Sequence, residues 1–266
     1  MVSARSDHVV TTLRDLVANT DGPALGAWIK LGNEESVEIV ARSGFDFLVI
    51  DLEHSQLTLD AAYRLLATAC LVGVPVFVRN PEFHRVAYQR LLDAGADGIL
   101  APMLESLDAV NEGISLCLYP PGGVRGFSTT TRAGKWGASP RAEHIANANA
   151  RVTFIPQLES RVALDALNEI VQADGLDAVF IGMADLAVSM NLAPDDEVVR
   201  GLVDEAAATC RHHKLLIGTS VPVIDGADLT RYQLFDFLMI GDDASLLSFS
   251  ARRLVSTARS LLGVQS

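Results

Sequence analysis

Short apolar segments alternate with longer segments of mixed polarity along almost the whole chain. Eight of them are nearly free of polar residues, which is typical of parallel strands that are covered on both faces. They span residues 26–30, 45–51, 74–80, 98–104, 152–159, 176–182, 215–221 and 235–241. The pattern therefore predicts eight β-strands, spread from one end of the chain to the other.

The segments between these strands have the spacing of amphipathic helices. Apolar residues recur every three or four positions in residues 59–72, 85–94, 107–117 and 162–172. Eight successive strand–helix units predict an α/β fold, the (β/α)8 or TIM barrel. Because no linker rich in Gly, Pro or Ser divides the chain, we expect a single barrel domain over residues 1–266. An amphipathic segment over residues 1–20 predicts an extra N-terminal helix that caps the barrel floor.

The longest irregular stretch covers residues 119–138 and carries Arg125 and Arg132. Long polar loops inside compact domains are more often functional than idle. We therefore expect this loop to act as a lid that closes over an anion.

Composition and charge exclude several classes of partner. The 266 residues carry a formal net charge of −12, which argues against binding to nucleic acid or to an anionic membrane surface. No apolar run approaches the roughly 20 residues of a membrane span, and the N-terminal segment lacks the apolar core of a signal peptide. The scattered cysteines Cys70, Cys117 and Cys210 indicate reduced, buried thiols. We expect a cytoplasmic protein.

Candidate chemistry lies where the predicted strands end, because active sites of such barrels lie at the carboxyl ends of the strands. Glu159 and Asp185 follow consecutive strands, so their carboxylates can meet above the barrel. Two carboxylates without a nearby cysteine or histidine pair form a hard-oxygen site suited to Mg²⁺ or Mn²⁺. The alternative is that each carboxylate pairs with a neighbouring arginine.

His54 and Arg79 are the other polar residues of interest at strand ends. His54 follows Asp51 and Glu53, and it is either a general base or a structural histidine. Arg79 ends an apolar strand, where a buried guanidinium needs an anionic partner. That partner is either a substrate carboxylate or an acid of the rim, and we favour the substrate.

Several motifs occur in an order that resembles one enzyme family. VIDLEHS, YPPGGVRGFS, IPQLES and VFIGMADLAVSM follow one another in the chain as they do in the HpcH/HpaI aldolases. That family consists of class II pyruvate aldolases, which depend on a divalent metal. The resemblance extends from about residue 26 to residue 241 and covers nearly the whole chain.

The resemblance implies a reaction and a set of site residues. The reaction is reversible retro-aldol cleavage of a 4-hydroxy-2-keto acid to pyruvate and an aldehyde. The metal is Mg²⁺ or Mn²⁺, with Co²⁺ as a further candidate, and the assembly is a homotrimer or homohexamer. By this resemblance, the metal ligands are Glu159 and Asp185, proton transfer is carried out by His54 with Asp93 of an adjacent subunit, and Arg79 binds the pyruvyl oxygens. Backbone amides around Gly182, Ala184 and Asp185 bind the substrate carboxylate. The residues that support the site are Asp51, Glu53 and Gln157.

Two positions depart from the family pattern. Met183 stands where the family usually has proline, which makes the turn around it less rigid. Lys30 stands at the end of the first strand, where relatives carry small or polar residues. With Arg125 and Arg132, Lys30 is a candidate for binding a distal carboxylate or polyol of the aldehyde half.

Alternatives from other classes stay open at this point. Lys30 is one of only three lysines and the sole Schiff-base candidate for a class I aldolase. An acyl-CoA lyase of the same superfamily would share the metal carboxylates, and a non-catalytic relative would bind pyruvate without cleaving anything. Residues 245–262 are apolar on one face, which fits a subunit interface as well as a closing barrel helix.

Overall fold

Eight parallel strands form a closed barrel in which each strand is hydrogen-bonded to the next along the chain and β8 pairs with β1. A computed structural model describes residues 12–221 and 229–263. The strands are β1 Ala24–Ile29, β2 Phe47–Asp51, β3 Val76–Arg79, β4 Gly98–Ala101, β5 Thr153–Leu158, β6 Ala178–Ile181, β7 Leu216–Ser220 and β8 Phe237–Asp242. The predicted (β/α)8 barrel is therefore confirmed, and each strand overlaps its predicted segment.

The helices surround the barrel, and those that follow a strand return the chain from the carboxyl rim towards the floor. They are α1 Leu13–Ala18, α2 Glu34–Arg42, α3 Leu59–Val72, α4 Arg85–Asp93, α5 Leu107–Cys117, α6 Arg141–Arg151, α7 Arg161–Asp165, α8 Leu167–Ile170, α9 Met183–Ser189, α10 Glu197–His212 and α11 Asp243–Leu261. The side chains of Thr58 and Ser106 cap the N-termini of α3 and α5, which explains why both helices begin where the sequence predicts. The single helix predicted over 162–172 is instead two short helices that meet at Ala166.

Aromatic side chains fill the lower interior of the barrel. Phe47 packs edge-to-face against Phe77, with ring centroids 5.8 Å apart, and also contacts Phe237 at 6.2 Å. The rings fit because the strands carry glycine beside them: a Cβ atom on Gly218 would lie 2.1 Å from the Phe237 ring. This packing closes the interior from below, so polar chemistry is confined to the rim.

Carboxylates and α1 close the barrel floor. Asp97, the residue before β4, accepts a hydrogen bond from the backbone N–H of Val76 at 2.8 Å. Arg14 of α1 pairs with Asp177 at 3.0 Å, and Leu13 on the same helix is buried. The predicted N-terminal cap is thus confirmed for α1, whereas residues 1–11 lie outside the described residues.

The long loop over residues 119–138 lies at the floor, and the expectation that it is a lid over its own barrel is wrong. The loop follows α5, and helices of this fold return the chain to the floor, whereas rim loops follow strands. Its contacts agree: Ala133 N–H donates to the Asp93 carbonyl at the end of α4, and Arg132 packs near Gly95. Arg125 and Arg132 therefore do not reach the rim of this chain.

The last helix, α11, contacts the barrel only at its start. Asp243 is its one residue that is buried, and every residue from Leu254 to Leu261 is exposed. The stripe formed by Leu247, Leu254 and Leu261 is 65%, 71% and 83% exposed. Among the helices described, none is both long and apolar enough to cross a bilayer.

Candidate active site

The carboxyl rim brings together most of the predicted site residues. Asp51 is the last residue of β2 and is paired in register with Arg79, the last residue of β3. Glu159 follows β5, and Asp185 lies in the first turn of α9, just after β6. Parallel strands of a closed barrel end on the same face, so these side chains surround one mouth.

Arg79 is buried and is held by two acids of the rim. Its Nε and Nη2 donate to the two carboxylate oxygens of Asp51 at 2.9 and 2.7 Å, and its Nη1 lies 3.1 Å from Glu53 Oε2. The guanidinium also stacks over the Trp28 ring, 4.2 Å from its centroid. Binding of a substrate group by Arg79 stays a prediction. Its partner in the structure is the rim acid Asp51. The reason is local, because register places Asp51 directly beside it.

Burial and the charge of the Arg79 guanidinium have opposite effects on the pKa values of Asp51 and Glu53. Burial alone would raise the pKa of Asp51, but the hydrogen bonds and charge of Arg79 bring that pKa below its usual value. Glu53 is largely buried and has a weaker contact with Arg79, so burial raises its pKa, and the charges of Asp51 and Asp185 add to the rise. The pKa of Asp51 therefore lies below its ordinary value and that of Glu53 above it.

His54 projects from the rim into solvent. Its side chain is 57% exposed, and Nε2 lies 3.8 Å from Glu53 Oε2. The backbone N–H groups of Glu53 and His54 both donate to Asp51 Oδ1, at 3.0 and 3.2 Å, so the turn that carries the histidine is fixed. An exposed imidazole on a fixed turn above a buried ion pair has the access that a general base requires.

Glu159 is oriented by neighbours on β5 and in the turns that follow β4 and β6. Its Oε1 accepts a hydrogen bond from the backbone N–H of Met103 at 2.8 Å, and its Oε2 accepts one from Gln157 Nε2. A Cβ atom on Gly182 would lie 2.8 Å from the Glu159 Cβ, so glycine is required for the carboxylate to lie against β6. The side chain is consequently fixed before any ligand binds.

Three carboxylates at the mouth repel one another. Burial raises the pKa of Glu159, and the charges of Glu53 and Asp185 raise it further. Two buried oxygens, Glu53 Oε2 and Gln157 Oε1, have no hydrogen-bond partner within the described residues. Hard oxygen donors of excess negative charge fit a divalent cation such as Mg²⁺ or Mn²⁺. In residues 12–221 and 229–263, however, no three His, Cys, Asp or Glu side chains converge closely enough to hold an ion by themselves.

The turn between β6 and α9 offers fewer free amides than the sequence suggests. The Gly182 N–H donates to the Leu158 carbonyl at 3.1 Å, so this amide is occupied, which corrects the expectation that it binds substrate. No side chain caps the first turn of α9, where Ala184 and Asp185 are exposed. Met183 is buried at the same turn and fills the position without altering the helical backbone of α9.

Asp93 does not reach the rim of its own chain. It ends α4 at the barrel floor, and its Oδ1 accepts a hydrogen bond from Arg125 Nη2 at 2.8 Å. Arg125 is itself buried and lies over the Tyr119 ring, whose hydroxyl is 3.2 Å from His144 Nε2. Within one chain Asp93 therefore belongs to a polar cluster on the face opposite His54.

Three contributors to the rim carry no clear signal in the sequence. Trp28 stacks on Arg79, although a tryptophan in an apolar strand reads simply as core. Met103 acts through its backbone and has φ of 59°, an unusual value for a residue other than glycine. Asp243 collects hydrogen bonds from the backbone of Lys30 and Leu31, across more than two hundred residues of sequence.

The chain is similar to several known proteins over nearly its full length. The chain is 32% identical over 247 residues to the hydroxypyruvate/pyruvate aldolase of Rhizorhabdus wittichii, covering 91% of this chain and 97% of the relative. It is 33% identical over 240 residues to the 4-hydroxy-2-oxo-heptane-1,7-dioate aldolase of Salmonella arizonae, covering 88% and 89%. A crystal structure of an HpcH/HpaI aldolase/citrate lyase family protein from Burkholderia cenocepacia superposes with a TM-score of 0.86 at 27% identity, covering 93% of this chain and 98% of that one.

The family profile covers the barrel from its first strand to the start of its last helix. The profile described as HpcH/HpaI aldolase/citrate lyase matches residues 24–248, which includes every rim residue discussed above. With a closed barrel, a rim of carboxylates around a buried arginine, and relatives matched over nearly their full length, the chain belongs to the HpcH/HpaI aldolase/citrate lyase family.

Proposed function

We propose that the protein is a class II pyruvate aldolase, which cleaves a 4-hydroxy-2-keto acid to pyruvate and an aldehyde in a reversible reaction. One observation carries this proposal: Arg79 is fixed at the mouth by Asp51, beside carboxylates that repel one another. A fixed cation suits an oxyanion that develops during the reaction, and the carboxylates suit a divalent metal. The aldolase relatives support the same reaction class.

Glu159 and Asp185 are the residues that would hold the metal, Mg²⁺ or Mn²⁺ by the chemistry of their donors. When bound, a divalent ion supplies Lewis-acid charge beside the keto oxygen of the substrate. Gln157 and Met103 fix Glu159 through hydrogen bonds, so its carboxylate needs no reorganisation to bind a metal ion. Burial is the main cause of the raised pKa of Glu159, and a cation at this site would offset both the burial and the repulsion from Glu53 and Asp185.

In the proposed reaction Arg79 stabilises negative charge and His54 transfers a proton. In the cleavage direction His54 removes the proton of the C4 hydroxyl, the C3–C4 bond breaks, and the aldehyde leaves. The electron pair of that bond forms the enolate of pyruvate, whose C3 then accepts a proton. A guanidinium has five N–H donors, and two of those of Arg79 bond Asp51. The remaining donors are available to the developing oxyanion once Glu53 is displaced or shared.

The substrate carboxylate binds, in this account, at the first turn of α9. The amides of Ala184 and Asp185 are the relevant donors, because that of Gly182 is occupied. Anions are favoured at such N–H groups by the direction of their dipoles. A substrate held there by its pyruvyl end extends across the mouth towards β1 and β2.

A second copy of the chain completes the proposed enzyme, as a homotrimer or homohexamer. The stripe of Leu247, Leu254 and Leu261 on α11 is exposed, and an apolar stripe of this kind is stabilised by burial against a partner. Asp93 lies on the floor of its own chain, so any role beside His54 requires an adjacent subunit. The free thiols of Cys117 and Cys210, both buried, are consistent with a cytoplasmic setting.

Product analysis tests the proposed reaction against the open alternatives. The purified protein with Mn²⁺ is incubated with a panel of 4-hydroxy-2-keto acids, and pyruvate and aldehyde are quantified. Equal amounts of the two products support the proposal. Release of an acyl thioester from a parallel acyl-CoA panel indicates a lyase of that type, and binding of pyruvate without cleavage indicates a non-catalytic relative. Either of these last results contradicts it.

A further inference from the structure

The ends of three neighbouring strands place two cations on either side of one carboxylate. Lys30 follows β1 directly, Asp51 ends β2 and Arg79 ends β3. The pairing of Ile29 with Ile50 puts Lys30 beside Asp51. Asp51 is itself paired in register with Arg79. The row along the rim therefore consists of a cation, an anion and a second cation.

Lys30 and Arg79 approach the same oxygen atom of Asp51. Arg79 Nη2 donates to Oδ2 at 2.7 Å, and Lys30 Nζ lies 3.7 Å from that atom. The ammonium consequently lies beside the guanidinium, near the pyruvyl oxygens that Arg79 is proposed to bind. Because like charges this close repel each other, the arrangement favours the binding of a further anion.

Asp51 accepts four hydrogen bonds without any contribution from Lys30. Two come from Arg79, at 2.9 and 2.7 Å, and two come from the backbone N–H groups of Glu53 and His54, at 3.0 and 3.2 Å. The 3.7 Å that separates Lys30 from Asp51 is too long for a hydrogen bond. The side chain of Lys30 is 28% exposed, and Asp51 does not use its N–H donors.

The charge balance of this part of the rim depends on Lys30. Glu53 also contacts the guanidinium, with Oε2 3.1 Å from Nη1, so Arg79 faces two carboxylates. Its single positive charge cannot offset both of them. With Lys30 the positive and negative side chains are equal in number, whereas without it the group has an excess of negative charge that repels an anionic substrate.

Asp243 holds the backbone that carries Lys30. Its buried carboxylate accepts hydrogen bonds from the N–H groups of Lys30 and Leu31, at 2.9 and 3.1 Å. These bonds tie the residue after β1 to the start of α11. The ammonium therefore has a fixed point of attachment, as electrostatic stabilisation by a preorganised charge requires.

We propose that Lys30 adds a second positive charge at the pyruvyl end of the mouth, where it selectively stabilises a dianion. This inference rests on the proposed aldolase function, because the pyruvate enolate is such a dianion: it carries one charge on its carboxylate and another on its oxygen at C2. The keto acid carries only the first of these charges at its pyruvyl end. A cation that acts on the second charge therefore binds the transition state more tightly than the substrate.

Oxalate and oxamate test the assignment, since they are nearly identical in shape and differ by one negative charge. Their affinities for the Mn²⁺-loaded protein are measured by calorimetry. In Lys30→Met we expect oxalate affinity to fall about tenfold and oxamate affinity about threefold or less, because an electrostatic free energy scales with the charge of the ligand. Lys30→Arg keeps the charge and is expected to retain both affinities within about twofold. Lys135→Met, in the long loop at the floor, is the control and is expected to match the wild type.

Turnover supplies a second readout. We expect kcat for cleavage of a 4-hydroxy-2-keto acid by Lys30→Met to fall about tenfold while KM changes less than about twofold, since the lost charge acts on the enolate and not on the keto acid. Thermal unfolding and Mn²⁺ binding of each variant establish that the fold and the metal site persist.

Three results contradict the inference. Equal losses of oxalate and oxamate affinity in Lys30→Met would show that the side chain acts through its size and not through its charge. Unchanged affinities would show that its charge does not reach the bound anion. A Lys30→Arg variant that binds oxalate as weakly as Lys30→Met would exclude a role for the charge.

Failure of the proposed function is distinguishable from these results. A wild type that cleaves no 4-hydroxy-2-keto acid contradicts the aldolase function itself. A wild type that cleaves such acids, combined with any of the three results above, contradicts the role of Lys30 alone.

Discussion

Asp51 and Arg79 end neighbouring strands and form a two-point ion pair, with nitrogen–oxygen distances of 2.9 and 2.7 Å. The pair is almost completely buried, so each partner depends on the other to offset its desolvation. It fixes the guanidinium at the mouth, where the proposed reaction requires a cation that does not move.

Arg79→Lys tests whether the cleavage needs the two-point hydrogen bonding of the guanidinium or only its positive charge. An ammonium cannot bond both oxygens of Asp51 and the developing oxyanion at once. We expect kcat/KM for keto-acid cleavage to fall by about 10²- to 10³-fold, the loss typical of one oxyanion donor, while Mn²⁺ affinity persists. Arg161→Lys, which changes an exposed arginine paired with Asp165, is the matched control. A loss below about threefold in Arg79→Lys would contradict the role.

Glu159→Gln and Asp185→Asn test the metal ligands. Each replaces a charged oxygen donor with an amide, so we expect Mn²⁺ affinity, measured by electron paramagnetic resonance, to fall by at least about tenfold and cleavage to be abolished. Glu105→Gln is the control because Glu105 also lies at the rim but accepts a hydrogen bond from Ser160. Full cleavage in either ligand variant would exclude the class II mechanism.

His54→Gln separates proton transfer from metal binding. The glutamine keeps polarity but cannot exchange a proton near neutral pH, so we expect kcat to fall by about 10²- to 10⁴-fold with Mn²⁺ affinity unchanged. We expect the pH profile of kcat/KM to lose the change in rate that comes from ionisation of the base. His84→Gln, at the N-terminus of α4, is the control. An unchanged pH profile in His54→Gln would assign the base elsewhere.

Asp97 predicts a pH dependence of stability that is independent of catalysis. Burial raises its pKa to about 7 in the folded state, above the ordinary value of 3.8 for an aspartate. The folded protein therefore binds more protons than the unfolded chain in this interval, and its free energy of unfolding falls as the pH rises from about 4 to about 7. In Asp97→Asn the amide oxygen can still accept from Val76 N–H. We expect urea unfolding of this variant to show a shallower slope across that interval, and an unchanged slope would contradict the assignment.

The exposed stripe on α11 predicts an assembly that depends on it. We expect light scattering to give the wild type a mass that is a multiple of 28.5 kDa. Leu247→Glu combined with Leu254→Glu places charges in the apolar stripe and should release monomers. Ser256→Glu, on the opposite side of α11, should leave the mass unchanged. A wild-type monomer would refute the proposed oligomer.

The strands and the rim acids were predictable because their physical signals are local. A strand buried on both faces reads as an apolar run, and the polar residue that ends the run faces the mouth. Asp51, Glu159 and Asp185 could be identified in that way. The capping residues Thr58 and Ser106 likewise explain the exact agreement of α3 and α5 with their predicted bounds.

What the sequence did not predict depends on contacts between distant segments. That Arg79 pairs with Asp51 follows from strand register, which an apolar run does not encode. The backbone N–H of Met103 that orients Glu159 carries no residue-type signal at all. The position of the loop 119–138 could have been deduced, because it follows a helix and must lie at the floor. The break at Ala166 could not, since its neighbours keep helical periodicity.

The central claim is that carboxylates of the rim hold a divalent metal that the cleavage requires. The most direct measurement is pyruvate release from a 4-hydroxy-2-keto acid by protein stripped with EDTA, before and after Mn²⁺ is restored, with a parallel borohydride treatment. We expect no pyruvate release after stripping, recovery on addition of Mn²⁺, and no adduct on Lys30. Undiminished release in EDTA together with borohydride trapping of substrate on Lys30 would contradict it.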